Sequence, residues 1–116
     1  LLFPVLCHEP LGLAILESLY FRCPVFGTTF GSLPELISPE RGFISNSKSE
    51  LAEAVKNSSA YDPLKCHQFI ADNFSARKMT EDYIKLFEEV LNGHDLNPAQ
   101  PSSIITEKES IFRMQP

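Results

Sequence analysis

A chain of 116 residues with 43% hydrophobic and 22% charged residues is long enough for one small domain with a core of its own and too short for two. Its net charge of −5 and pI of about 5.1 argue against a nucleic-acid-binding surface, and no basic stripe offsets them. No apolar run reaches the roughly 20 residues of a membrane span, the N-terminus lacks the charged leader of a signal peptide, and the scattered Cys7, Cys23 and Cys66 fit a reducing cytoplasm.

Residues 1–6 are continuously apolar, which predicts a short strand buried on both faces of a parallel sheet. Cys7, His8 and Glu9 then fall at its carboxyl end, where His8 reads as a plain strand-end histidine. Pro10 and Gly12 favour a helix that begins near residues 10–12 and runs to about Arg22. Gly12 also lets a ligand approach the backbone closely. Glu17 is the only charge between Pro10 and Phe21, so it is expected to meet hydrogen-bond donors, because a carboxylate buried alone costs several kcal/mol. Helical spacing puts it on one face with Leu13 and Tyr20.

A strand, a loop and a helix start together form an anion site. The first-turn N–H groups have no helical partner, the helix dipole adds positive potential, and open α/β sheets bind ligands just outside the strand ends. Glu9 in the loop and Glu17 in the helix flank that site. The layout suits a ligand with phosphate in its middle and hydroxyls at both ends, as in a nucleotide sugar.

Residues 24–28 predict a second buried strand, entered through Pro24 and left through Thr28 and Thr29. Residues 31–37 predict a glycine turn and a short helix, with Ser32 as N-cap and Glu35 as its capping-box partner. Residues 42–45 give a third strand. Beyond it the pattern is helical. Ser47 or Ser49 caps a helix carrying Leu51, Ala54 and Val55 that ends near residues 57–59, and Pro63 opens the next, through Phe69 and Ile70. Ser75 caps a long closing helix in which Met79, Tyr83, Leu86, Phe87 and Val90 recur at helical spacing, a stripe read as a core face. Gly93 stops it, and residues 93–116 read as a disordered tail, beginning with a polar, proline-containing linker over 97–103. The Ile111-Phe112 cluster in that tail carries no mechanism. Cys7-His8 and Cys66-His67 suggest a four-ligand zinc set, but neighbours on a strand point to opposite faces, so no metal is expected.

Five pieces of this pattern, in order and spacing, carry a resemblance. They are Leu2-Phe3-Pro4; Glu9-Pro10-Leu11-Gly12-Leu13 with Glu17; Pro24-Val25-Phe26-Gly27-Thr28; Gly31-Ser32-Leu33-Pro34-Glu35-Leu36-Ile37; and Gly42-Phe43-Ile44. The sequence resembles the nucleotide-sugar-binding half of the family-4 retaining glycosyltransferases of the GT-B fold (glycosyl transferases group 1). The likeness continues through Glu50-Leu51-Ala52-Glu53-Ala54-Val55 and a weaker Phe74-Ser75 followed by Tyr83-Ile84-Lys85-Leu86-Phe87, so it covers roughly residues 1–92.

That resemblance implies an α/β fold, a partial Rossmann-like parallel sheet with C-terminal helices. It implies that Glu9 contacts the donor sugar, that Glu17 contacts the ribose, and that Leu11, Gly12 and Leu13 give main-chain donors to the diphosphate. It implies no cofactor and no metal. The donor would be a nucleoside-diphosphate sugar, UDP- or GDP-linked, and the acceptor a glycan or lipid held by an N-terminal domain that this sequence lacks. An Arg and a Lys that stabilise the leaving diphosphate in the family also lie upstream of the resembling segment. The chain is therefore read as a C-terminal piece of a longer hexosyl- or glycosyltransferase, inactive alone, cytoplasmic, with peripheral attachment at the inner membrane face open for the whole enzyme.

Two departures stand out. Leu11 replaces a commoner Phe, and Arg22 replaces a Gly frequent in relatives, so the left-handed helix ending is expected to give way to another. Two alternatives accompany the transferase: a sugar-nucleotide epimerase of the same fold, and a non-catalytic remnant or nucleotide-sugar-binding module.

Overall fold

A computed structural model of the chain describes residues 1–99 together with Met114 and Gln115. Three parallel strands lie side by side in chain order: β1 (Leu2–Phe3), β2 (Val25–Gly27) and β3 (Gly42–Ile44). Leu2 is in register with Phe26, and Phe26 with Phe43. Helices α1 (Leu13–Tyr20) and α2 (Leu33–Leu36) connect the strands. After β3 come α3 (Lys48–Lys56), a 3-10 turn at Ser58–Ala60, α4 (Pro63–Asn73) and α5 (Ala76–Leu91). The chain is thus α/β with a three-stranded parallel sheet and helices, compatible with a partial Rossmann-like fold. No helix among the described residues is long and apolar enough to cross a membrane.

The core follows from helical spacing. Ile15 and Leu19 stand one turn apart on α1, Cys66 and Ile70 one turn apart on α4, and all four are buried with Val25, Leu33, Leu36 and Ile37. Full burial of each Leu or Ile contributes about 1.5–3 kcal/mol. Successive strand residues face opposite sides, so Phe26 lies across the sheet from Val25, with its ring edge-on to Tyr61 at 5.5 Å, where α3 packs on β2.

Several expectations change. The first strand is shorter than residues 1–6, because Pro4 has no amide to give the ladder and the Val5 amide turns back to Phe3 O at 3.1 Å. It is also an edge strand among the described residues rather than one buried on both faces, with Leu2 55% exposed. The first helix begins at Leu13, behind Gly12 at φ +72°.

Ser32 precedes α2 but does not cap it with its side chain, and the capping box with Glu35 does not form. The reason is its own backbone: at φ −76° and ψ −9° Ser32 is helical, whereas a side-chain cap needs an extended N-cap residue. Its buried Oγ has no hydrogen-bond partner among the described residues. α3 behaves as its sequence indicates, with extended Ser47 accepting the Glu50 amide at 3.4 Å.

The left-handed ending of α1 is retained rather than replaced. Arg22 sits at φ +67°, with its amide on Leu19 O at 3.0 Å and the Cys23 amide on Ser18 O at 2.9 Å. Those two bonds are the pair that a Schellman ending makes. The stripe on α5 is not a core face: none of its residues is buried, and Phe87 is 61% exposed. The tail expected over 93–116 falls mostly on residues outside those described, as does the Ile111-Phe112 cluster.

Candidate functional site

Glu9 lies in the loop between β1 and α1, half-buried, at the carboxyl end of the sheet. Its Oε1 accepts the Gly12 amide hydrogen at 2.9 Å, so the carboxylate braces the loop that enters α1. Gly12 is required there for two reasons. Its φ of +72° is left-handed, and a Cβ would come within 2.8 Å of Ile15 Cδ1. The glycine thus serves internal packing against Ile15.

A second loop locks Glu9 from behind. The Ser32 amide donates to Glu9 O at 2.8 Å, and Gly31, at φ +64°, lies so close that a Cβ would fall on the Glu9 backbone. Thr28, fully buried, donates through Oγ1 to Val5 O at 2.6 Å and ties the end of β2 to the β1 loop. Asn46 then ties β3 to the same rim: its Oδ1 accepts the Thr29 amide at 3.1 Å and its Nδ2 donates to Thr29 Oγ1 at 2.8 Å. All three loops at the carboxyl ends of the strands are therefore bonded to one another. Thr28, Thr29 and Asn46 were not singled out by sequence reading; the polar Thr28-Thr29 step at the end of an apolar strand was the available signal.

Of the amides assigned to a diphosphate, that of Gly12 is engaged by Glu9, while those of Leu11 and Leu13 have no hydrogen-bond partner among the described residues, and neither has the Ala14 amide, which the sequence reading did not assign. Two first-turn donors of α1 thus remain available to an anion. Glu17 is exposed, and its carboxylate makes no hydrogen bond or ion pair among the described residues. It does not carry the desolvation cost its apolar context suggested, because the polar face of α1 is turned to solvent with Leu13, which is 67% exposed. Glu9 and Glu17 accordingly sit at the entrance and partway along one short helix, the first braced and the second open.

His8 is exposed beside Glu9. Cys7 is exposed and Cys66 buried, and His67 Nδ1 is 2.5 Å from Tyr20 O at the end of α1, so the adjacent Cys-His pairs belong to different surroundings. Burial pushes the Cys66 thiol above its usual pKa.

Two of the other concavities lie beside α3 and between α1 and α5. One of about 640 Å³ is lined by Glu40, Phe43, Glu50, Glu53, Tyr61 and Lys65. Its carboxylates are largely satisfied: Lys65 pairs with Glu40 at 2.9 Å and holds that carboxyl below its usual range, Lys56 meets Glu53 at 3.2 Å, and Ser45 donates to Glu50 at 2.5 Å. The other, of about 610 Å³, is an apolar groove between Leu11, Leu13 and Leu16 near the start of α1 and Met79, Tyr83 and Leu86 of α5.

No protein-family model matches this chain, and no curated protein matches it.

Proposed function

We propose that residues 1–92 form a nucleotide-sugar-binding unit of the kind found in retaining GT-B glycosyltransferases, with the donor at the rim between β1 and α1. The observation that carries this reading is the start of α1. The unpartnered amides of Leu13 and Ala14 lie at the carboxyl end of a parallel sheet, beside the Glu9 carboxylate and ahead of an exposed Glu17. The free amides would take diphosphate oxygens. Glu9 Oε2, unlike Oε1, is not committed to Gly12 and would accept a sugar hydroxyl; Glu17 would accept the ribose hydroxyls.

In the transfer reaction negative charge develops on the leaving nucleoside diphosphate, and positively disposed groups stabilise it. The α1 N-terminus supplies part of that stabilisation. The remaining cations are those that the resemblance places upstream, so binding is proposed for this chain and glycosyl transfer for a protein that contains both parts. No cofactor or metal enters the scheme, and the acceptor class is a glycan or lipid.

A second reading is favoured by the Glu9–Gly12 bond. A carboxylate already satisfied within its own loop serves as a brace for that loop, and the rim then holds no ligand, as in a non-catalytic remnant.

Titration calorimetry with UDP, GDP and their glucose and mannose conjugates separates the two. The donor-site reading expects binding that Glu17→Ala weakens by about tenfold or more, as loss of a hydrogen bond to a charged group does. Glu9→Gln, which keeps an acceptor for Gly12, should weaken sugar-nucleotide binding more than binding of the bare diphosphate. Absence of binding across the panel by a folded chain leaves the loop-brace reading.

A further inference from the structure

Met114 and Gln115 are far in sequence from the described residues they touch. The Gln115 amide donates to Asn46 O at 2.6 Å and the Lys48 amide donates to Gln115 O at 3.0 Å, so Gln115 bridges Ser47 in the parallel sense. Lys48 is the first residue of α3, and its amide is one of those a helix start leaves without an internal partner. The Gln115 carbonyl satisfies it and sits at the positive end of the helix dipole. One residue earlier, half-buried Met114 forms one wall of a mostly apolar groove of about 450 Å³, together with Leu2, Pro4, Leu51, Ala52 and Val55 and with Lys48 at its polar side. Main-chain bonds beside a side-chain pocket are the two elements by which an extended peptide is held at the margin of a sheet. An unbranched thioether side chain fits an irregular groove of this kind.

We propose that the margin of this groove, at Asn46 to Lys48, is a docking site for the chain's own Met114-Gln115 segment, which acts as a strap on the rim of the sheet and closes one side of the groove with Met114. The strap grips Asn46, and the same Asn46 holds Thr29 through its side-chain amide, so docking at the far end of the chain fixes the loop that precedes Gly31 and Ser32. Among the described residues the grip is two main-chain bonds and one half-buried side chain, with Gln115 itself exposed. Contacts of that extent open locally without global unfolding. Undocking leaves Lys48 without a main-chain acceptor and frees the Asn46 backbone, loosening the Asn46–Thr29 clasp. The strap therefore has a docked state with a fixed rim and an undocked state with a looser one. Nothing in this depends on what the rim binds.

Amide hydrogen exchange on the full chain by NMR tests the proposal. In Met114→Asp the amides of Lys48, Gln115 and Thr29 should exchange about tenfold faster, as removal of a partly buried apolar anchor implies, while Phe26 in β2 is unchanged. Met114→Leu should keep the protection. Adding a synthetic peptide of residues 111–116 to the Met114→Asp chain should restore the Lys48 protection, and the same peptide with Asp at its Met position should not. Unchanged exchange at Lys48 and Gln115 in Met114→Asp overturns the docking site. Faster exchange at Lys48 with Thr29 unchanged overturns the hold on the rim. Failure of the peptide to restore protection at millimolar concentration overturns the site as a peptide-binding groove.

Discussion

The Glu9 carboxylate accepts the Gly12 amide at 2.9 Å, and through that bond a candidate ligand contact also braces the loop that enters α1. Losing an intramolecular hydrogen bond costs about 1 kcal/mol. Glu9→Ala should therefore lower the melting temperature by roughly 4–8 °C, the shift expected for that loss in a domain of this size. Glu9→Gln, whose amide oxygen can still accept, should stay close to wild type. Circular dichroism melts of the two variants check this, and a Glu9→Ala chain as stable as wild type would remove the brace from the account.

Gly31 stands directly behind Glu9. At φ +64°, with the Glu9 backbone filling the space of a Cβ, alanine is both strained and obstructed. A left-handed non-glycine residue alone costs about 1–3 kcal/mol, and here the obstructing atoms are backbone that cannot swing aside. Gly31→Ala should cost at least about 2 kcal/mol in urea unfolding and should also displace Glu9, whereas Gly93→Ala, with open space around it, should cost only the left-handed strain. Equal losses at the two glycines would contradict the packing of Gly31 on Glu9.

Arg22 offers the opposite experiment. It holds a left-handed conformation at φ +67° in an intact Schellman ending, where glycine is the unstrained residue. Arg22→Gly should stabilise the chain by about 1 kcal/mol, because the relief of left-handed strain exceeds the added entropy of the unfolded glycine. The prediction is checked by the urea midpoint, which should rise; a fall would mean that the Arg22 side chain contributes contacts that outweigh its backbone strain.

Arg22 also marks where sequence reading reached its limit. The order of strands and helices, the parallel pairing and the exposure of a Glu9 loop at the strand ends were legible, because apolar runs, capping serines and Pro63 act within a few residues of themselves. The Ser47 and Ser75 caps and the Asp62 cap on the Leu64 amide are local in the same way. What escaped depended on contacts between distant residues or on a single backbone angle. Ser32 has the composition of a cap and the wrong φ/ψ. Glu17 interrupts an apolar run yet faces solvent. The Thr29–Asn46 clasp and the Gln115 bridge join segments that no local pattern connects.

The bare face of α5 belongs with those misreadings and makes its own prediction. Met79, Tyr83, Phe87 and Val90 are more than half exposed, so no described part of the chain covers them. Phe87→Glu should shift stability by no more than about 0.5 kcal/mol, as surface substitutions do, where a core phenylalanine would cost several times that. The same change should reduce binding of an apolar dye such as ANS. A large loss of stability would show that residues outside those described pack on this face.

Cys66 gives a pH dependence whose sign is fixed by burial. The thiol is fully buried, which raises its folded pKa above the reference value of 9.0, opposed in part by the nearby Arg41 charge. A raised folded pKa means that the native chain holds its proton more tightly than the unfolded chain does. The stability this gives is complete below about pH 9 and is lost as pH rises through the folded pKa. The urea midpoint should consequently fall between pH 8 and pH 10 by more in wild type than in Cys66→Ala, after the general destabilisation of the alanine variant at pH 8 is subtracted. Thiol accessibility supplies a second readout at neutral pH. Cys7 and Cys23 are exposed and should react with a disulfide reagent within minutes, while Cys66 should react only in denaturant. Rapid reaction of all three thiols in buffer would place Cys66 outside the core formed by Ile15, Leu19 and Ile70.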